Sequence, residues 1–131
     1  MAISKVSGRQ YPLVASVTFA GGTDVDAIAT YEAIDLPGGA IITGGSFYTP
    51  AGFAGAGTIA IHLDALVLVA AADIDAELNT PFDLATIDAL GAALTAPNTI
   101  DVVLAVAVLT DGVGRVTVEY IIDERANEVN P

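Results

Sequence analysis

The sequence predicts an all-β chain, an antiparallel β-sandwich or barrel, and three observations carry that prediction. Leu13, Ala15, Val17 and Phe19 alternate with Val14, Ser16, Thr18 and Ala20, the two-residue period of a strand. Turn signals rich in Gly, Pro and Asp recur about every ten residues, as in sandwiches and barrels. The 131 residues suffice for one domain with a real core, and abundant Gly and Ala suit closely spaced strands.

The elements follow in order. Residues 1–10 read as an N-terminal arm, with Lys5 and Arg9 but neither the apolar run nor the cleavage pattern of a secretory signal. Leu13 to Ala20 forms the first strand, and Gly21-Gly22-Thr23-Asp24 ends it. A second strand covers Ile28 to Ile34 and stops at Leu36-Pro37-Gly38-Gly39. A third runs from Ala40 to Tyr48, where Gly44-Gly45 marks a bulge or a close backbone approach. Thr49 to Gly57 reads as a glycine-rich loop carrying Phe53, either as an exposed contact or folded back over the core. Ile59 to Leu63 and the apolar run Ala65 to Ala72 are two further strands.

Residues 73–97 admit two readings. Thr80-Pro81-Phe82-Asp83 has the form of a helix start, and Leu84, Ile87 and Leu90 could complete a short helix; an extended crossing between sheets fits equally well. Ile100 to Val108 is an interior strand, apolar on both parities, and Val116 to Asp123 is a strand with one dry and one wet face. With Thr110 to Gly114 between them, the two are expected to form a hairpin over Thr99 to Asp123. The predicted organisation is therefore an arm (1–10), a β domain (11–123) and a polar tail (124–131).

Charge and chemistry narrow the function. Sixteen carboxylates face four cations, a net charge of -12, so no basic stripe exists to displace counterions from nucleic acid. The longest apolar runs fall short of the roughly 18 residues of a membrane helix. No cysteine is present to form disulfides or thiolate metal sites. His62 is the sole histidine, with Asp64 on the same strand face, and no nucleophile motif accompanies the pair, which reads as a surface histidine beside a carboxylate. Asp24-x-Asp26 and Asp73-x-Asp75-x-Glu77 lack the spacing of a calcium loop, and no phosphate-binding glycine motif occurs. No catalytic, metal or cofactor site is expected.

Two stretches are specific beyond these patterns: Ala33-Ile34-Asp35-Leu36-Pro37-Gly38-Gly39-Ala40-Ile41-Ile42-Thr43-Gly44-Gly45, and Gly114 to Pro131, which contains Val118-Glu119-Tyr120-Ile121-Ile122-Asp123 and Arg125-Ala126-Asn127-Glu128-Val129. Together they resemble a family of small virion structural proteins of tailed bacteriophages. Glu124 and Asn130 stand where that family often has Gly and Gln, and residues 73–95 match it poorly. The resemblance implies a jelly-roll-like β-sandwich without enzymatic activity or cofactor. It implies a decoration or cement protein on the outer surface of the capsid, bridging adjacent major capsid protein subunits. Lys5, Arg9, Phe53, Arg125, Asn127 and Val129 are the candidate contacts to capsid or neighbouring subunits. The apolar stretches Ala65 to Ala72 and Val102 to Leu109 further suggest self-association, with a homotrimer as the first arrangement to test. The competing reading is a head-fibre or glycan-binding module, for which Phe47, Tyr48 and Phe53 would be the aromatic cluster.

Overall fold

The computed structural model describes residues 11–64, 66–73, 79–83 and 93–122, and within them every regular element is a strand. In chain order these are β1 Leu13–Ala20, β2 Thr30–Leu36, β3 Ala40–Ala54, β4 Thr58–Leu63, β5 Leu66–Asp73, β6 Asn79–Pro81, β7 Asn98–Ala105 and β8 Asp111–Ile122. They form two four-stranded antiparallel sheets, ordered β1-β8-β3-β6 and β2-β7-β4-β5. The pairings β1 with β8, β2 with β7, β3 with β6 and β4 with β5 are those of one long hairpin rolled over on itself, the jelly-roll arrangement. Its tip is the β4–β5 turn, where Asp64 takes a φ of 52°.

Each strand turns one parity inward. Val116 and Val118 of β8 meet Ile100, Val102 and Leu104 of β7 in a continuous core that also holds Ile59, Ile61 and Leu63 of β4. The opposite parity of β7 (Asp101, Val103 and Ala105) is half-buried, so this interior strand is fully covered on one face only. On the first sheet Phe19 stacks on Phe47 at 6.0 Å and on Phe53 at 5.9 Å between ring centroids. Gly114 lies beneath all three rings, and a Cβ there would stand 2.7 Å from Phe19, 2.9 Å from Phe47 and 3.0 Å from Phe53.

Three expectations need correction. The Thr99 to Asp123 hairpin does not form, because β7 and β8 lie in different sheets and residues 106–110 carry the chain across the sandwich. Placing two such apolar strands in opposing sheets lets their dry faces cover each other, which a hairpin within one sheet cannot do. The loop expected from Thr49 to Gly57 is strand as far as Ala54, and its Pro and Gly are absorbed by register shifts against β8 at Tyr48/Ala51 and Ala51/Ala54. Thr80-Pro81 opens no helix: it belongs to β6 and pairs with Ser46 and Phe47. The remainder of the candidate helix, Leu84 to Leu90, lies outside the described residues, as do the arm (1–10) and the tail (124–131).

Gly44-Gly45 is both a bulge and a close approach. The β3–β8 register shifts between Ile42 and Gly44, and the buried Phe82 ring lies over Gly45, whose carbonyl accepts the Phe82 N–H at 3.0 Å. A methyl at Gly45 would collide with that ring and approach the Thr117 carbonyl oxygen to 2.6 Å, whereas nothing lies within 4 Å of one at Gly44. Gly45→Ala is therefore expected to cost about 1–3 kcal/mol by overpacking. Gly44→Ala should be neutral or gain up to about 1 kcal/mol. Urea unfolding of both variants checks the contrast. Val106 provides a second test, since it is 74% exposed yet holds a φ of 74°, which a β-branched residue adopts only under strain. Val106→Asn should raise stability by on the order of 1 kcal/mol, read as a higher unfolding midpoint.

Candidate functional site

Three surfaces carry the chemistry that the described residues offer. The first is the outer face of the second sheet, where Glu32, Asp101 and His62 stand in register across β2, β7 and β4. The Thr99 hydroxyl donates to Asp101 Oδ1 at 2.6 Å, which holds that carboxylate against the sheet. Asp64, expected beside His62, sits instead in the turn and accepts a hydrogen bond from Asn98 Nδ2 at 2.7 Å. The register partner of His62 is Asp101. Hydroxyls are engaged in strand pairing or local turns: Ser16 bonds Thr117 at 3.2 Å, Thr43 donates to Glu119 Oε1 at 3.0 Å, and Tyr31 donates to the Ala27 carbonyl at 2.7 Å. Among the described residues no three of His, Cys, Asp or Glu gather as a metal site.

The second surface is the end of the sandwich formed by the β1–β2, β3–β4 and β7–β8 connections. Ile28, Val106 and Val108 are exposed there. The Leu104 N–H donates to the Ala29 carbonyl at 3.0 Å, which extends the β2–β7 register and brings Ile28 toward Ala105. Gly55, at a φ of 113°, lets the β3–β4 turn pass close to the Val108 carbonyl, with which a Cβ would collide at 2.7 Å. This apolar end is thus held by close backbone packing. Sequence reading missed it because Val106-Ala107-Val108 continues the apolar pattern of β7, and periodicity alone cannot show where a strand ends.

The third is a cavity of about 270 Å³ at the open side of the sandwich, between edge strands β1 and β2. Val17, Phe19, Val25 and Tyr31 supply apolar walls, and the exposed carboxylates of Asp24 and Glu32 also border it. Asp24 shapes one side of it, accepting the Ala20 N–H at 2.8 Å in the turn after β1. No sequence motif pointed to this cavity, because β1 and β2, though consecutive in the chain, enclose it only by lying in opposing sheets.

Of the candidate contacts, Phe53 needs correction. It is only 2% exposed and stacks on Phe19, because the extension of β3 past Pro50 turns it inward. Phe47 is buried with it, which leaves Tyr48 as the exposed member of the expected aromatic cluster. Lys5, Arg9, Arg125, Asn127 and Val129 lie outside the described residues. Of the two apolar stretches, Leu68, Val69, Val102, Leu104 and Leu109 are buried within the chain, while Leu66, Val67, Val106 and Val108 are exposed.

A scan against models of known protein families gave no match, and a search of curated proteins gave no relative. Solved structures do share the fold. A chain of the acidic stable capsid structure of Helicobacter pylori bacteriophage KHP30 superposes with a TM-score of 0.59 at 13% identity, covering 94% of this chain and 96% of that one. A chain of the cyanophage Pam1 capsid asymmetric unit superposes with a TM-score of 0.56 at 20% identity, covering 93% of this chain and 91% of that one. In both cases the likeness spans nearly the whole of each chain, so what this protein shares with them is its fold.

Proposed function

We propose that this protein is a structural subunit of a phage virion that decorates the outer surface of the capsid and cements it by bridging adjacent major capsid protein subunits. The observation that carries the proposal is the near-complete, two-way superposition of the jelly roll on chains from two phage capsid structures. The two specific sequence stretches, Ala33 to Gly45 and Gly114 to Pro131, point the same way by their resemblance to tailed-phage virion proteins.

The physical role follows from assembly energetics. A shell joint is stabilised when an added subunit spans it, because the contact area of the bridge must be given up before the joint opens. Many modest bridges then act together through multivalency. In this reading both ends carry the grip: the cationic arm with Lys5 and Arg9, and the tail with Arg125, Asn127 and Val129, reach from an acidic body toward neighbouring shell subunits. Self-association as a homotrimer would multiply those contacts at each site. The exposed apolar end with Ile28, Val106 and Val108 is a further area available for burial in such contacts.

Deletion of residues 126–131 tests this role. Purified particles stripped of the protein and re-incubated with the truncated chain should rebind it at an occupancy reduced at least severalfold, measured by quantitative gel analysis of sedimented particles. Wild-type occupancy with the truncated chain would refute the role assigned to the tail.

A further inference from the structure

We propose that the open edge of β1, with the cavity beside it, is a strand-addition site for residues 1–10 of a neighbouring copy of this chain. A jelly roll leaves four edge strands, here β1 and β6 on one sheet and β2 and β5 on the other. An edge presents a row of unpaired N–H and C=O groups, and sheets blunt it by shortness, charge or bulges. β6 is only three residues long. β2 carries Glu32 and Asp35 and shifts register between Glu32 and Ile34. β5 is broken in register against β4 on either side of Ile61. Among the described residues β1 has none of these devices: its eight residues lack charge, Pro and Gly and pair with β8 in unbroken register from Leu13 to Ala20.

The cavity gives this edge selectivity. Strand addition draws affinity from main-chain hydrogen bonds and specificity from pockets that take alternate side chains. A pocket of about 270 Å³ walled by Val17, Phe19, Val25 and Tyr31 accepts aliphatic side chains, and Asp24 and Glu32 at its border favour a cation next to them. Residues 1–10, Met-Ala-Ile-Ser-Lys-Val-Ser-Gly-Arg-Gln, combine Ile3 and Val6 with Lys5 and Arg9 and contain no carboxylate. Arg115 is the one Lys or Arg among the described residues, and a chain of net charge -12 otherwise repels its own copies. The arm is therefore the segment of this chain with the charge and the apolar side chains to approach the site.

Reach and turn chemistry direct it to a neighbour. Ten extended residues span about 33 Å, enough to leave one body and run the length of an eight-residue strand on the next. Folding back onto its own β1 through a tight turn would put Tyr11-Pro12 in the two central positions, where hairpin turns call for positive φ.

The natural absence of cysteine makes the test direct. Ser4→Cys and Thr18→Cys are placed in separate full-length chains, mixed and mildly oxidised. The expected product is a disulfide-linked heterodimer, formed severalfold more than in a mixture of Ser4→Cys with Asn79→Cys, which lies on the opposite edge strand of the same sheet. Adding Glu32→Lys to the Thr18→Cys chain should lower the yield severalfold. Linkage no greater than the Asn79→Cys control overturns the proposal. So does a Ser4→Cys/Thr18→Cys chain that closes only within itself while the mixture stays unlinked. The assay is performed in solution and stands apart from attachment to a particle.

Discussion

Three phenylalanine rings packed over one glycine are the constraint on which the first sheet depends. Phe19 from β1, Phe47 and Phe53 from β3, and Gly114 from β8 meet where the three strands lie side by side, and the stack fills the space between the sheets at that end. A side chain on β8 at that position would force the rings apart, and the first sheet would lose its packing against Ile59, Ile61 and Leu104 of the second. The same economy recurs at Gly45, where a missing side chain admits the ring of Phe82. The Gly content of the chain is therefore a packing device as much as a source of turns.

Much of this architecture was legible in the residues. Alternation gave β1, β4 and the wet and dry faces of β8, and the Gly44-Gly45 pair read as a bulge or a close backbone approach, of which the structure holds both. What escaped is tertiary in origin. The partner of β8 could not be read locally: Asp111-Gly112-Val113-Gly114 reads as a turn yet belongs to β8, and residues 106–110, without a glycine, carry the chain between the sheets. Phe53 could be read as exposed or as folded back over the core because Pro50 and Gly52 read as loop; bulges against β8 carry the strand past them and turn the ring inward. The cavity between β1 and β2 had no sequence signature, because its lining, nearly all from residues 17–33, becomes concave only when β1 and β2 take their places in opposing sheets.

The distribution of charge links fold to role. Within the described residues the sandwich is acidic, with Arg115 as its single Lys or Arg, while the other three cations lie in the terminal segments. Such a body stays soluble and keeps its copies apart through like-charge repulsion. Contacts between copies are then favoured at surfaces that carry little charge or through residues 1–10, which hold Lys5 and Arg9 and no carboxylate. The uncharged edge of β1 and the apolar end at Ile28, Val106 and Val108 are the described surfaces of that kind. An acidic body with an uncharged edge, an exposed apolar end and a cationic segment at residues 1–10 is what the proposed bridging role draws on.

Electron cryomicroscopy of the parent particle is the most direct measurement of that role. The expected result is density for an eight-stranded jelly roll on the outside of the shell, spanning joints between major capsid protein subunits. Particles without this chain, or with its density confined to the shell interior, would contradict the assignment.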